Sequence, residues 1–239
     1  MKKLIVNADD FGFCESVNYG ILRAYKKGIV TSTTMMANMP GFEHAVQLYR
    51  ENPGLGVGVH LNITCGKPIT NAPSLINEEG MMNRDNRPNW NLDEIYTELE
   101  AQIEKVKAAG IPITHLDSHH HIHTLEQLQP VIEKLHAKYP YPMRGGFEYE
   151  SPISPQSKVC VDFYKEGVSL ENFERILENL KEDVVCDMMS HPAYLERFIY
   201  QLSSYNLNRM EELELLTSPE MVDLVKKYNA VLGNYKTFF

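Results

Sequence analysis

Short β-branched apolar runs alternate with longer amphipathic stretches along the chain, and this alternation predicts repeated strand, loop, helix units. Residues 3–6 read as a buried strand running into the loop Asn7-Ala8-Asp9-Asp10-Phe11-Gly12. From Ser16 onward, Val17, Ile21, Leu22 and Tyr25 share one helical face, which Gly28 ends as a C-cap. A second strand is expected at 29–36, a second helix at 42–49 and a third strand at 55–61, where Val57, Val59 and Leu61 alternate with Gly56, Gly58 and His60. Periodicity then dissolves into Gly, Pro and Asn over 62–91, a long loop of the kind that shapes a site. A helix at 92–109 stops at Gly110 and Pro112, and 111–116 reads as another buried strand. Thr124-Leu125-Glu126-Gln127 has the form of a capping box, which predicts a helix over 125–139. A brief strand and turn at 141–146, an irregular stretch at 148–167 and a helix at 170–180 follow. The chain then reads as a buried strand at 184–190, mixed structure at 193–216, a last helix capped by Thr217-Ser218-Pro219-Glu220 and running to 228, and a closing strand at 230–232.

Such alternation argues for an α/β fold with a parallel sheet. The chemically capable residues stand at the ends of several separate strands, which favours a distorted (β/α) TIM-like barrel over an open doubly wound sheet. No G-x-G-x-x-G or P-loop follows the first strand. With 239 residues, 43% of them hydrophobic, the chain suffices for a single domain with one large core. A formal net charge of −9 without a basic stripe argues against nucleic acid or an anionic membrane as partner. Cys14, Cys65, Cys160 and Cys186 lie far apart with no C-x-x-C pair, as expected of reduced thiols. The apolar run after Met1-Lys2-Lys3 is too short for an export signal, and none approaches the ~20 residues of a membrane span, so the cytoplasm is expected.

Candidate chemistry centres on Thr114-His115-Leu116-Asp117-Ser118-His119-His120-His121-Ile122-His123, which holds five of the nine histidines between a strand end and a helix. Imidazole is the commonest metal ligand, so a metal-dependent site competes with the plainer reading of a solvated histidine loop. His119 is nearest the strand end; His121 and His123 share its side only if the loop stays extended, and His115 belongs inside the strand as a supporting partner. Asp9 and Asp10 follow the first strand directly, so one can face a metal while the other faces substrate or a cation. His60 lies near the end of the third strand, as a ligand or as a buried core histidine. His191 precedes Pro192, which forces an extended backbone suited to a general acid or base. Arg144 beside Gly145-Gly146 suggests either an anionic or hydroxylated substrate or a surface ion pair, and Trp90 and the tyrosines offer stacking faces for sugar rings. A mixed carboxylate and imidazole set with open positions suits a hydrolytic divalent metal. A phosphoesterase using two or three metals and a non-catalytic metal or sugar binder are alternatives.

Asn7-Ala8-Asp9-Asp10-Phe11-Gly12, Thr31-Ser32-Thr33-Thr34, His60, Thr114 to His121 as quoted above, and Ser190-His191-Pro192 together resemble the YdjC-like carbohydrate deacetylases, also called chitooligosaccharide deacetylases. The match runs in order over nearly the whole chain. The resemblance implies a distorted (β/α) barrel, a homodimer, and removal of acetyl groups from N-acetylated oligosaccharides with one divalent metal, magnesium. It also implies Asp10, His60 and His119 as metal ligands and Asp9 as general base, with His191 then available as the acid. The ligand types themselves suit zinc, iron or cobalt better than magnesium.

Overall fold

The computed structural model describes residues 1–239. Seven strands, β1 (Lys2–Phe11), β2 (Ser32–Met35), β3 (Gly56–Leu61), β4 (Ile113–Ser118), β5 (Met143–Arg144), β6 (Gln156–Cys160) and β7 (Val185–Ser190), pair in parallel in sequence order. The ring closes where β7 meets β1, with Lys3 opposite Val185 and Ala8 opposite Ser190. The eighth strand, β8 (Ala230–Leu232), does not close it. It pairs with Lys2 to Leu4 of β1, on the edge that β2 takes over from Asn7 upward. Sharing one edge between two neighbours splays β1 and distorts the (β/α) barrel.

Nine helices accompany the strands: α1 (Glu15–Lys27), α2 (Phe42–Arg50), α3 (Leu92–Ala108), α4 (Gln129–Lys138), α5 (Leu170–Asn179), α6 (Arg197–Leu202), α7 (Leu207–Leu216), α8 (Pro219–Lys227) and α9 (Tyr235–Phe238). Their starts follow the local chemistry. Asn91 caps α3 by accepting from the backbone of Asp93 and Glu94, and Ser218 caps α8 ahead of Pro219. The capping box expected at Thr124 does not form. Thr124 Oγ1 donates to the His121 carbonyl, residues His119–Thr124 and Glu126–Leu128 make 3₁₀ turns, and α4 starts only at Gln129. Pro130 explains the delay, because a helix begun at Leu125 would place a residue lacking N–H in its interior rather than its first turn. The stretch read as irregular contains β6, and the mixed stretch contains α6 and α7. No helix is long and apolar enough to cross a membrane.

Alternate strand positions face opposite environments. Leu4, Val6 and Ala8 of β1, Val57 and Val59 of β3, Leu116 of β4 and Met188 of β7 join one apolar cluster with the surrounding helices. The barrel interior is filled differently. Asn7 and Asp9, His60, His115 and Asp117, Arg144, Ser157 and Asp187 project into it and bond to one another or, for Ser157, Asp187 and the stacked His115, meet Tyr235 of α9, where βα barrels ordinarily stack branched apolar side chains. Gly56 and Gly58 make this possible: a Cβ on Gly56 would lie 2.7 Å from Asn234 Cβ, and one on Gly58 would lie 2.6 Å from the His115 ring.

Candidate active site

The C-terminal end of β1 carries a bulge. Between Ala8 and Phe11 the register against β2 slips, three residues of β1 matching two of β2, and Asp10 takes a left-handed φ of 72°. Regular extended backbone would turn Asp9 and Asp10 to opposite sides. The bulge instead brings both to one cavity of about 500 Å³ at the barrel mouth, which His60, His119 and His191 also line. Holding a non-glycine residue at that φ costs about 1–3 kcal/mol.

Asp10 is the meeting point of two imidazoles and a guanidinium. Its Oδ1 lies 3.3 Å from His60 Nε2 and 3.1 Å from His119 Nδ1, while Oδ2 accepts from Arg209 Nη2 at 2.6 Å. His60 is oriented from behind by Asp117, whose Oδ1 is 2.7 Å from Nδ1 and whose Oδ2 accepts from Thr34 Oγ1 at 3.0 Å. A carboxylate on one ring nitrogen fixes the other for a ligand. Burial pushes the Asp10 carboxyl up, yet Arg209 and His119 hold it well below the usual range. Burial pushes the His60 imidazole down, but the Asp117 carboxylate bonded to it and the Asp10 carboxylate facing it raise it to about 10. For His119 burial prevails over the pull of Asp10 and the shift is downward.

Arg144 corrects an expectation. Neither a substrate contact nor a surface ion pair, it is fully buried among three carboxylates. Its Nη1 and Nη2 bond to Asp9 at 2.7 and 2.8 Å, Nε donates to Asp187 at 2.9 Å, and Nη1 lies 3.0 Å from Asp117. With the Asn7 amide donating 2.8 Å to Oδ1, the fork leaves Asp9 little freedom. Burial raises the Asp9 carboxyl and Arg144 more than reverses this, so the net shift is down.

His191 follows β7 directly, where Pro192 was expected to hold it. Its backbone N–H donates to Glu212 Oε2 and its Nδ1 lies 3.8 Å from Glu212 Oε1. The rings of Tyr164 and Tyr205 stand 5.7 and 5.4 Å from the imidazole and stack on each other at 4.3 Å. His120 and His121 take left-handed φ values of 54° and curl the loop, which keeps both on the cavity wall beside His119 but outside its donor set. His123 turns away to Ser118 and the Arg144 carbonyl, His120 bonds Thr64, and His115 stacks on Tyr235 at 3.8 Å. Trp90 is packed in the apolar core and offers no stacking face to the cavity. Sequence reasoning missed Arg209 and Glu212, which sit on α7 with no motif around them; a single charged residue on a surface-type helix gives no signal of burial.

Asp10, His60 and His119 could hold a metal ion, their donor atoms lying within 4.8 Å of one another. Asp9, His60 and Asp117 form a second such group, but Arg144 already engages both of its carboxylates. Two observations support the first set. Asp10 Oδ1 is buried with no hydrogen bond of acceptable geometry, although two imidazole nitrogens face it. Charge is also short: Asp9, Asp10, Asp117 and Asp187 are buried with only Arg144 and Arg209 against them, a deficit of two. The raised His60 meets part of it, and a divalent cation would meet all of it.

A βα barrel whose C-terminal rim gathers one carboxylate and two imidazoles beside a guanidinium-held aspartate falls in the class of barrels that carry their chemistry at the strand ends. The family model of the YdjC-like proteins matches residues 3–227, and the chain belongs to that family. It is 40% identical over 238 residues to a carbohydrate deacetylase of Geobacillus stearothermophilus, covering 98% of this chain and 97% of the relative. A chitooligosaccharide deacetylase of Yersinia enterocolitica is 38% identical over 250 residues, with 98% of both chains covered. Among solved structures, an Enterococcus faecalis protein provisionally described as cleaving cellobiose-phosphate superimposes with a TM-score of 0.93 at 33% identity, over 99% of this chain and 98% of that one.

Proposed function

We propose that this protein is a metal-dependent deacetylase of N-acetylated sugars, with oligosaccharides of the N,N'-diacetylchitobiose type as its substrate class. The observation that carries this reading is the presence, in one cavity, of the Asp10, His60 and His119 donor set beside the ionised, rigidly held carboxylate of Asp9. The names of the curated relatives agree with it.

In this reading Asp10, His60 and His119 hold the metal. A divalent cation there supplies polarisation of the acetamide carbonyl and a more acidic water, which a base as weak as Asp9 requires. Asp9 takes the proton of the water whose oxygen adds to the acetyl carbon, and Arg144 keeps the carboxylate in place throughout. His191, held by Glu212 at the backbone and faced by it at Nδ1, gives a proton to the sugar nitrogen as the carbon–nitrogen bond breaks. Acetate and a free sugar amine leave. The stacked Tyr164 and Tyr205 offer the cavity an aromatic wall for a sugar ring. Magnesium is what the family resemblance implies, whereas two imidazoles and a carboxylate favour zinc or cobalt. The reading extends to a single-domain enzyme working in the cytoplasm as a homodimer. Its four cysteines are unpaired, and Tyr200, Leu207 and Met210 are exposed apolar side chains on α6 and α7 that a second copy would cover.

The test is acetate release from N,N'-diacetylchitobiose by protein stripped of metal and resupplied with magnesium, zinc or cobalt. Metal-dependent release with one ion per chain is expected; two or more ions per chain would favour a phosphoesterase. Asp9→Asn should bind metal normally and lose on the order of 10²–10⁴ in kcat. Full activity in that variant would remove Asp9 from the role of base.

A further inference from the structure

The barrel floor is closed by a tyrosine that the chemistry above does not use. Tyr235 of α9 is fully buried, enters beneath the strands and stacks face to face on His115 at 3.8 Å and 7°. Its hydroxyl donates to Asp187 Oδ2 at 2.5 Å, so the contact with Ser157 Oγ at 2.8 Å has the serine as donor. Asp187 in turn holds Arg144 through Nε at 2.9 Å and Nη2 at 3.3 Å, and Arg144 forks onto Asp9. A continuous column of charge-assisted bonds thus runs from α9, through the barrel axis, to the carboxylate at the mouth.

We propose that Tyr235 is a positioning residue for the reaction, setting the place of Asp9 through Asp187 and Arg144. The physical reason lies in how one guanidinium is shared. Arg144 serves Asp187 below and Asp9 above from a single rigid plane. Without the Tyr235 hydroxyl, Asp187 Oδ2 keeps only the Arg144 Nε bond and draws the guanidinium towards itself, tilting the fork away from Asp9. Tyr235 does not line the cavity, and although Arg144 Nη1 also reaches Asp117, Thr34 and His60 hold that carboxylate from their own strands. The effect therefore falls mainly on turnover, with metal and substrate binding little changed. Gly56 and Gly58 are the sequence features that leave room for this arrangement, since side chains there would collide with Asn234 and with the ring on which Tyr235 stacks.

The inference rests on the assignment of Asp9 made above, and Tyr235→Phe tests it because the ring and its stacking are retained. Expected is a kcat about tenfold lower, the loss that a misplacement of roughly half an ångström produces, with KM and metal affinity within about twofold of the parent. Asp187→Asn supplies the second arm. If Tyr235 acts through Asp187, adding Tyr235→Phe to Asp187→Asn should change kcat by less than about twofold. Lys236→Ala, an exposed position on the same helix, should leave kcat alone. A Tyr235→Phe enzyme with parental kcat, or one losing the same tenfold in the Asp187→Asn background, overturns the inference. An inactive parent would instead overturn the deacetylase reading. Crystal structures of parent and Tyr235→Phe then decide the present point, because an unmoved Asp9 carboxylate refutes it whatever the substrate.

Discussion

His60 makes metal binding a proton exchange. In the metal-free protein its ring bridges Asp117 and Asp10 at 2.7 and 3.3 Å, and these carboxylates raise it to about 10 against the cost of burial. A ligating imidazole must be neutral. At pH 7, three units below that value, about one molecule in 10³ presents a neutral His60, so proton competition costs the metal about 4 kcal/mol. The sign follows directly: the apparent Kd for metal should fall about tenfold for each pH unit from 7 to 9, with close to one proton released per ion. His119, shifted downward by burial, adds little at neutral pH. Titration calorimetry in two buffers of different ionisation enthalpy counts the protons. Asp117→Asn removes the largest charge raising His60, and should flatten the slope and reduce the release. The metal-free protein should show the counterpart in stability: a folded-state value above the unfolded 6.5 contributes fully below 6.5 and is lost as pH rises through about 10. A flat Kd between pH 7 and 9, with no proton release, would refute the charge argument for the site.

Substitutions at two arginines probe the same interior. Arg144→Met leaves Asp9, Asp117 and Asp187 buried without their common cation, and should cost about 3–5 kcal/mol in chemical denaturation; Arg144→Lys keeps the charge but loses the fork, and should fall between. Arg209→Met frees Asp10 Oδ2 from a 2.6 Å charge-assisted bond that competes for the same carboxylate, and metal should then bind about tenfold more tightly by calorimetry.

The site residues that stood out in the sequence did so for one reason. Asp9, Asp10, His60, His119 and His191 each stand at or near the end of a strand-like run, and a parallel barrel sends the ends of all such runs to one rim. What decides their roles was not legible there. The bulge that turns two neighbouring aspartates to the same side leaves no mark in Ala8-Asp9-Asp10-Phe11. Arg144 could not be paired with its partners, because Asp9 is 135 and Asp187 43 residues away, and an isolated arginine next to two glycines looks like a surface loop. Arg209 and Glu212 were hidden in a stretch that reads as mixed structure, where charge ordinarily means solvent. The late start of α4, by contrast, was readable: Pro130 tolerates only a first-turn position, and that constraint outweighs a capping-box pattern. Gly56 and Gly58 were seen as alternation, but the partners that require them come from β4 and the residues just ahead of α9.

The shared guanidinium has a consequence for assembly. Asp9, Asp117, Arg144 and Asp187 arrive from β1, β4, β5 and β7, so no contiguous part of the chain contains a compensated set. A half barrel ending after β4 would bury acid against acid, and one beginning at β5 would bury Arg144 with a single partner. The strands are therefore worth little in the folded arrangement until the first and the last meet across the closing seam. Such a barrel should fold as one cooperative unit with slow, non-local closure, and a cut between β4 and β5 should yield two fragments that are each unfolded alone and regain structure only together.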